Sequence, residues 1–200
     1  MANTHYDAEA CAYDGCDDAA LTGADRCWAH LDDQAGFVES LSRTELSDAS
    51  LIKVDLSNQD FSGINLEGAK LSGANLSGAN FSGCDANHTH LDGADLTGAN
   101  FSKAQCEFAV FGNADMSNAD FSGADLRRSN LVGTKGHETN FDGAQFYYSR
   151  PGCADFQRAT FRGADITRAI FRKANVAGAD FTGAEGQANF ENANREGVIE

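Results

Sequence analysis

Apolar residues recur at every fifth position from Leu46 to Phe181, and twenty-eight consecutive units keep this phase without a gained or lost residue. Around most of the apolar centres the polar pattern repeats as well, often with Asp or Asn before the centre and small polar residues and Gly after it, as in LSGANLSGANFSG at 71–83. On a helix each step of five residues turns a side chain through roughly 500°, which smears the centres around the axis. In a flat strand successive fifth residues face opposite ways, so Leu71 and Leu76 could not share a core. A compatible geometry points inward two residues that are two apart, such as Ala74 and Leu76, and turns a corner with the other three. The chain is therefore predicted to coil.

A longer period lies over the first. Every fourth centre is aromatic: Phe61, Phe81, Phe101, Phe121, Phe141, Phe161 and Phe181. The other columns mix residue types, for example Leu56, Leu76, Leu96, Met116, Gly136, Phe156 and Val176. A strict twenty-residue repeat means four units per turn, with equivalent residues stacked along a four-sided coil. The seven Phe residues are expected to form a buried core ladder. Gly136 and Pro151 stand where core residues belong and are expected to weaken the core locally, Pro151 also by removing a ladder amide.

At this point the chain resembles the pentapeptide repeat family, in segments such as GADLTGANFS and NADFSGADLR. The resemblance extends over about residues 44–184. It implies an all-β fold, a right-handed quadrilateral β-helix of about seven coils. At a strand spacing of ~4.8 Å such a rod would stand roughly 34 Å tall.

The segment before the coil is different. In CAYDGCDDAALTGADRCWAHL, residues Cys11, Cys16, Cys27 and His30 have a spacing close to that of small structural zinc sites. Four such ligands would close a tetrahedral shell around zinc and leave no position for a reacting water. Three free thiols with an incidental histidine, or a disulfide with one Cys left over, are the alternatives. A reducing cytoplasm and the lack of another core in so short a segment favour zinc. His5 is a competing ligand. Trp28, Leu31, Phe37, Val38 and Leu41 then follow at mostly helical intervals, which predicts a short helix within Cys27 to about Arg43. The expected organisation is a zinc-knuckle and capping helix at 1–43, the repeat coil at 44–190, and a tail at 191–200. Such a cap would shield the first coil, whose open backbone groups would otherwise template association.

Composition sets limits on function. The net charge is −15, carried as nine acids against two bases in 1–43, eleven against three in 44–121, and ten against ten in 122–200. An acidic surface cannot release counterions from a phosphate backbone, so direct nucleic-acid binding is not expected. No apolar run reaches the roughly 20 residues of a membrane span, and residues 1–10 lack a secretory pattern, so the reading is cytoplasmic. No membrane contact is expected.

Register also sorts the reactive residues. Cys84 and Cys106 fall inward, while His88 and His90 fall outward on different sides of a corner, so CDANHTH is not expected to hold a metal. Nothing resembles a phosphate loop or a hydrolase elbow, and no enzymatic activity is expected. Two residues beyond the centres Cys106, Leu126, Phe146 and Ile166 stand Phe108, Arg128, Tyr148 and Arg168, with Arg127 and Tyr147 beside them. Stacked along one edge, these residues alternate aromatic and cationic groups, the types enriched in protein interfaces. The expected function is a non-enzymatic interaction scaffold with a protein partner. The alternative, implied by family members that protect or inhibit DNA gyrase, is an acidic DNA mimic. Dimerisation through the C-terminal end is the oligomeric state that the family resemblance suggests.

Overall fold

The computed structural model describes residues 9–41 and 43–200. His5 lies outside them. From Glu45 to Asp165, isolated parallel bridges join the residue before a centre to the one twenty positions later, except at Arg150, the residue before Pro151. One such column runs Glu45, Asn65, Asp85, Gln105, Asp125, Gln145, Asp165 and Glu185. Four of these columns make the four sides of the coil.

The unit Phe61–Asn65 shows why these residues suit this path. The Phe61 and Gly63 amides donate to the Asn80 and Ser82 carbonyls of the next coil at 2.8 and 2.9 Å, and the Asn65 amide donates to Thr44 of the coil before at 3.0 Å. The Ile64 amide closes the corner on the Phe61 carbonyl at 3.2 Å. That leaves the Ser62 amide, which donates to the Asp60 carboxylate at 3.1 Å. Every amide of the unit is therefore paired, and where Asp or Asn precedes a centre its side chain can satisfy the second corner amide, as Asp60 does for Ser62. The third corner residue is left-handed, with φ of 66° at Gly63, which favours Gly there.

The Phe ladder is buried throughout and its rings stack from Phe61 to Phe181, with centroids 5.5 Å apart at Phe61–Phe81 and 4.5 Å apart at Phe161–Phe181, except that Phe121 and Phe141 are tilted by 32°. Phe111, Phe156 and Phe171 meet the ladder edge-on. The space left at Gly136 is not empty. A Cβ built on Gly136 would lie 2.5 Å from the Phe156 ring, so the larger residue of the next coil fills the space. Pro151 does break the ladder: with no amide to donate, it leaves the Ile170 carbonyl oxygen without a hydrogen bond among the described residues.

The two ends depart from expectation. The stretch 191–200, expected as a tail, instead continues the coil. A residue is lost near Gly186, so the offset becomes nineteen, and the bridges Ile170–Asn189, Asn175–Asn194 and Asp180–Ile199 still form. Phe190 thereby stacks on Phe171 at 4.9 Å. At the other end the expected helix is broken in two, a 3₁₀ turn at Trp28–His30 and a helix α1 at Gln34–Ser40. Asp33 caps α1 by accepting from the Gly36 amide at 2.8 Å.

Near the last coils Asp180 accepts from the Thr182 hydroxyl at 2.6 Å, the Thr182 amide at 2.9 Å and Arg162 Nε at 2.7 Å. The Thr182 bonds and the Arg162 charge hold its carboxyl at about 2. A pKa depressed on folding contributes stability above the unfolded value of about 4, and that stability is lost as pH falls through the folded value. Asp180's contribution should therefore appear as a fall in the thermal midpoint of the coil below about pH 4. Asp180→Asn should lower the midpoint at neutral pH and flatten the acid limb; an unchanged limb would remove Asp180 from the account.

Candidate functional site

The N-terminal segment folds around its cysteines. A bridge pairs Ala10 with Ala19, and the Leu21 amide donates to the Arg26 carbonyl at 3.0 Å, so two tight loops carry Cys11, Cys16 and Cys27 to one point. The 3₁₀ turn then brings His30 back over Cys27. The ligand atoms of Cys11, Cys16, Cys27 and His30 all lie within 4.8 Å of one another. Cys16 Sγ is 3.8 Å from Cys27 Sγ, Cys11 Sγ is 3.7 Å from His30 Nδ1, and Cys27 Sγ is 3.2 Å from His30 Nδ1. A tetrahedral zinc with bonds of about 2.3 Å to sulfur and about 2.0 Å to nitrogen has edges of roughly 3.8 and 3.6 Å, so the donor set fits that ion. No disulfide joins the three cysteines in this structure, and all four donor atoms converge, which suits a ligand set better than a disulfide with one Cys left over.

The surroundings favour thiolate at Cys11. Burial raises its pKa, but the Cys27 and Tyr13 amides and the side chains of His30 and Cys27 outweigh this and lower it to about 6. Tyr13 stacks flat on the His30 ring at 3.9 Å and fixes its orientation.

This module sits on the first coil. The Ser50 amide, which has no earlier coil to meet, donates to Thr22 Oγ1 at 2.6 Å, and the Thr22 amide donates to the Ser50 carbonyl at 2.9 Å. Lys53 pairs with Asp18 at 2.7 Å, and Trp28, Phe37 and Val38 pack against the core of the rod. The Arg43 guanidinium covers the ring of Phe61, the first of the ladder, at 4.4 Å.

The second candidate region is the corner after the Cys106 side. Arg128 lies 5.4 Å from the Phe108 ring centroid and Arg168 lies 5.1 Å from that of Tyr148. The Arg168 guanidinium also donates to the Tyr148 hydroxyl. Tyr147 meets Tyr148 edge-on at 4.6 Å, while Arg127 turns back to Asp125 and Glu107. The structure adds His88, stacked on Phe108 at 5.1 Å. Its register in the column was readable from the sequence, two beyond Ala86. Cys84 and Cys106 are buried, and burial pushes the Cys84 thiol up to about 12. His88 and His90 are exposed and do not join them.

A profile described as Pentapeptide repeats matches residues 40–78, 79–118, 114–149 and 153–185. The chain belongs to the pentapeptide repeat family. As a member it is a right-handed β-helix, and its register is the one described above. Solved structures similar to this pentapeptide repeat protein include HetL of the cyanobacterium Nostoc sp. strain PCC 7120, a pentapeptide repeat protein involved in heterocyst differentiation regulation. That match has 26% identity, covers 80% of this chain and 84% of HetL, and has a TM-score of 0.37. QnrB1, a plasmid-mediated fluoroquinolone resistance protein, matches at 20% identity over 74% of this chain and 92% of its own, with a TM-score of 0.48. A pentapeptide repeat protein of the Arabidopsis thaliana thylakoid lumen matches at 32% identity over 59% of this chain and 68% of its own, with a TM-score of 0.23. No curated protein matches the chain. Among the described residues no helix is long and apolar enough to cross a membrane.

Proposed function

We propose that this chain is a non-enzymatic protein-interaction scaffold, closed at its first coil by a structural zinc module and carrying a contact surface from Phe108 to Arg168. The observation that supports it most is the backbone at Phe108 and Tyr148, with φ of 59° and 57°. A left-handed conformation costs an ordinary residue roughly 1–2 kcal/mol; this column uses Gly at Gly68 and accepts Asp48, His88, Arg128 and Arg168 as well, so what marks Phe108 and Tyr148 is that their side chains are large exposed aromatic rings. Keeping exposed aromatic rings in so unfavourable a place is consistent with a surface that something reads. Tyr148→Asn combined with Arg128→Ser should weaken a partner recovered from native extract by about tenfold or more. The thermal midpoint should stay within a few degrees, because Asn tolerates this backbone. Undiminished binding would count against the patch.

The zinc would be held by Cys11, Cys16, Cys27 and His30 in a closed shell, so its contribution is structural. Thiols kept as ligands suit a reducing compartment, and the cytoplasm is the proposed location. The open end around Phe181, Ala188 and Phe190, where Phe190 is only half-buried, is the proposed surface for a second copy. Sedimentation velocity tests that pairing.

The alternative reading is an acidic DNA mimic acting on gyrase. The carboxylates of the early coils favour it, but they are interrupted. One column reads Asp60, Asn80, Asn100, Asp120 and Asn140, and the Asn80 side-chain Nδ2 donates to the Asp60 carboxylate at 2.9 Å. Interruption of this kind supports the scaffold over the mimic. A supercoiling assay with gyrase and the purified chain separates the two.

A further inference from the structure

Six large apolar side chains are exposed among the described residues, and four of them, Phe108, Val132, Tyr148 and Ile170, lie on one corner and the adjoining side of the rod. That side carries a groove of about 340 Å³ beyond the aromatic corner. Its walls are Val132 and Ile170, 37% and 39% exposed, and its floor is Gly152. Gly152 is not required by the backbone. Its φ lies outside the left-handed region, and a Cβ there would make only ordinary contacts, 3.5 Å to the Arg172 carbonyl oxygen. The missing side chain opens the groove.

The rim is cationic on a chain whose net charge is −15. Arg150, Arg172 and Lys173 line it, and neither Arg150 nor Lys173 makes an ion pair among the described residues. Arg172 reaches Glu191 at 3.6 Å, an exposed pair that contributes little. The wall also holds the carbonyl oxygen of Ile170, the acceptor that Pro151 leaves without a ladder donor. The residues between the last two family matches, 150–152, are those that break the repeat here. An apolar slot, a cationic rim and an unbonded backbone acceptor beside the Gly152 floor together suit an occupant with aliphatic side chains, carboxylates and a free amide.

We propose that this groove binds an extended acidic segment of a partner protein. An aliphatic side chain of the segment sits between Val132 and Ile170, its carboxylates meet Arg150 and Lys173, and a backbone N–H bonds the Ile170 oxygen. An oligonucleotide would satisfy the rim but has no aliphatic group for the slot, and it would meet the repulsion of the whole chain. The proposal rests on the scaffold reading in that a partner exists, but it uses residues outside the Phe108–Arg168 corner.

The test is a selection on the intact protein from a displayed library of random peptides about twelve residues long. Arg150→Glu with Lys173→Glu serves as the counter-target. Sequences rich in Asp or Glu around an aliphatic residue should be enriched on the natural chain and bind the double variant about tenfold or more weakly. Pro151→Leu should raise the thermal midpoint by restoring the ladder bond, yet weaken the selected peptide roughly threefold to tenfold by occupying the Ile170 oxygen. Peptides that are basic or uncharged, equal retention by the double variant, no enrichment at all, or tighter binding of a thymidine oligonucleotide would each overturn the proposal. Peptides lost with Tyr148→Asn but kept by both groove variants would overturn the groove and leave the scaffold reading intact.

Discussion

Cys27→Ser is expected to abolish zinc binding by the chain and to unfold the N-terminal module while the coils beyond it stay folded. Cys27 is the hub of the donor set: its sulfur lies near both Cys16 and His30, and its amide donates to Cys11 Sγ at 3.3 Å. The module buries few residues of its own, chiefly Cys11, Ala20, Leu21 and Cys27, so a bound zinc would supply most of its folding free energy. Structural zinc supplies an apparent ~10–16 kcal/mol in zinc-finger peptides, far more than this small cluster could replace. In a stacked rod each coil depends mainly on its neighbours, so the loss should travel no further than the first coils.

Several readouts follow from that. Metal analysis should find zinc in the natural chain and none in the variant. Hydrogen exchange should quicken at the Leu21, Thr22 and Ser50 amides, whose bonds belong to the module or its seam. The Phe121 and Ala124 amides, in the middle of the rod, should keep their protection. Deleting residues 1–43 should go further and cause association, since it bares the first coil and removes the Arg43 guanidinium from Phe61. A metal-free module with undisturbed exchange, or a truncated rod that stays monomeric and equally stable, would refute the capping role.

The contrast between what the sequence reveals and what it hides has a physical basis. The Phe ladder, the inward thiols of Cys84 and Cys106 and the outward His88 all follow from register. A twenty-residue coil turns register into position by arithmetic alone. The quartet Cys11, Cys16, Cys27 and His30 was readable because ligand spacing reflects the size of the shell it must close. The helix length was not, because apolar spacing ran through Leu31 whereas His30 is drawn to the cysteines and Asp33 starts a separate helix. The last coil was hidden for another reason. A lost residue near Gly186 looks like the end of the repeat, yet the ladder absorbs it at a corner and pairs Asp180 with Ile199. The groove requires three facts at once: a missing proline amide, a floor without a side chain, and residues twenty positions apart.

Gly136 provides the sharpest test of how the core is packed, because its space belongs to its neighbour. Phe156→Leu should destabilise the rod by removing a ring that meets both Phe141 and Phe161, at 5.2 and 5.9 Å, and by leaving a cavity over Gly136. Gly136→Leu alone should also destabilise it. Its first side-chain carbon would fall 2.5 and 2.6 Å from two carbons of the Phe156 ring, and ring and backbone must shift at a cost of about 1–3 kcal/mol or more. The double variant restores to this column the Leu found at Leu56, Leu76 and Leu96, with the lost ring volume replaced by the new side chain. It should therefore be more stable than either single variant, with a coupling energy of about 1–3 kcal/mol in urea unfolding. Additive losses would mean that Gly136 and Phe156 pack independently, and the weakness expected at Gly136 would then be real.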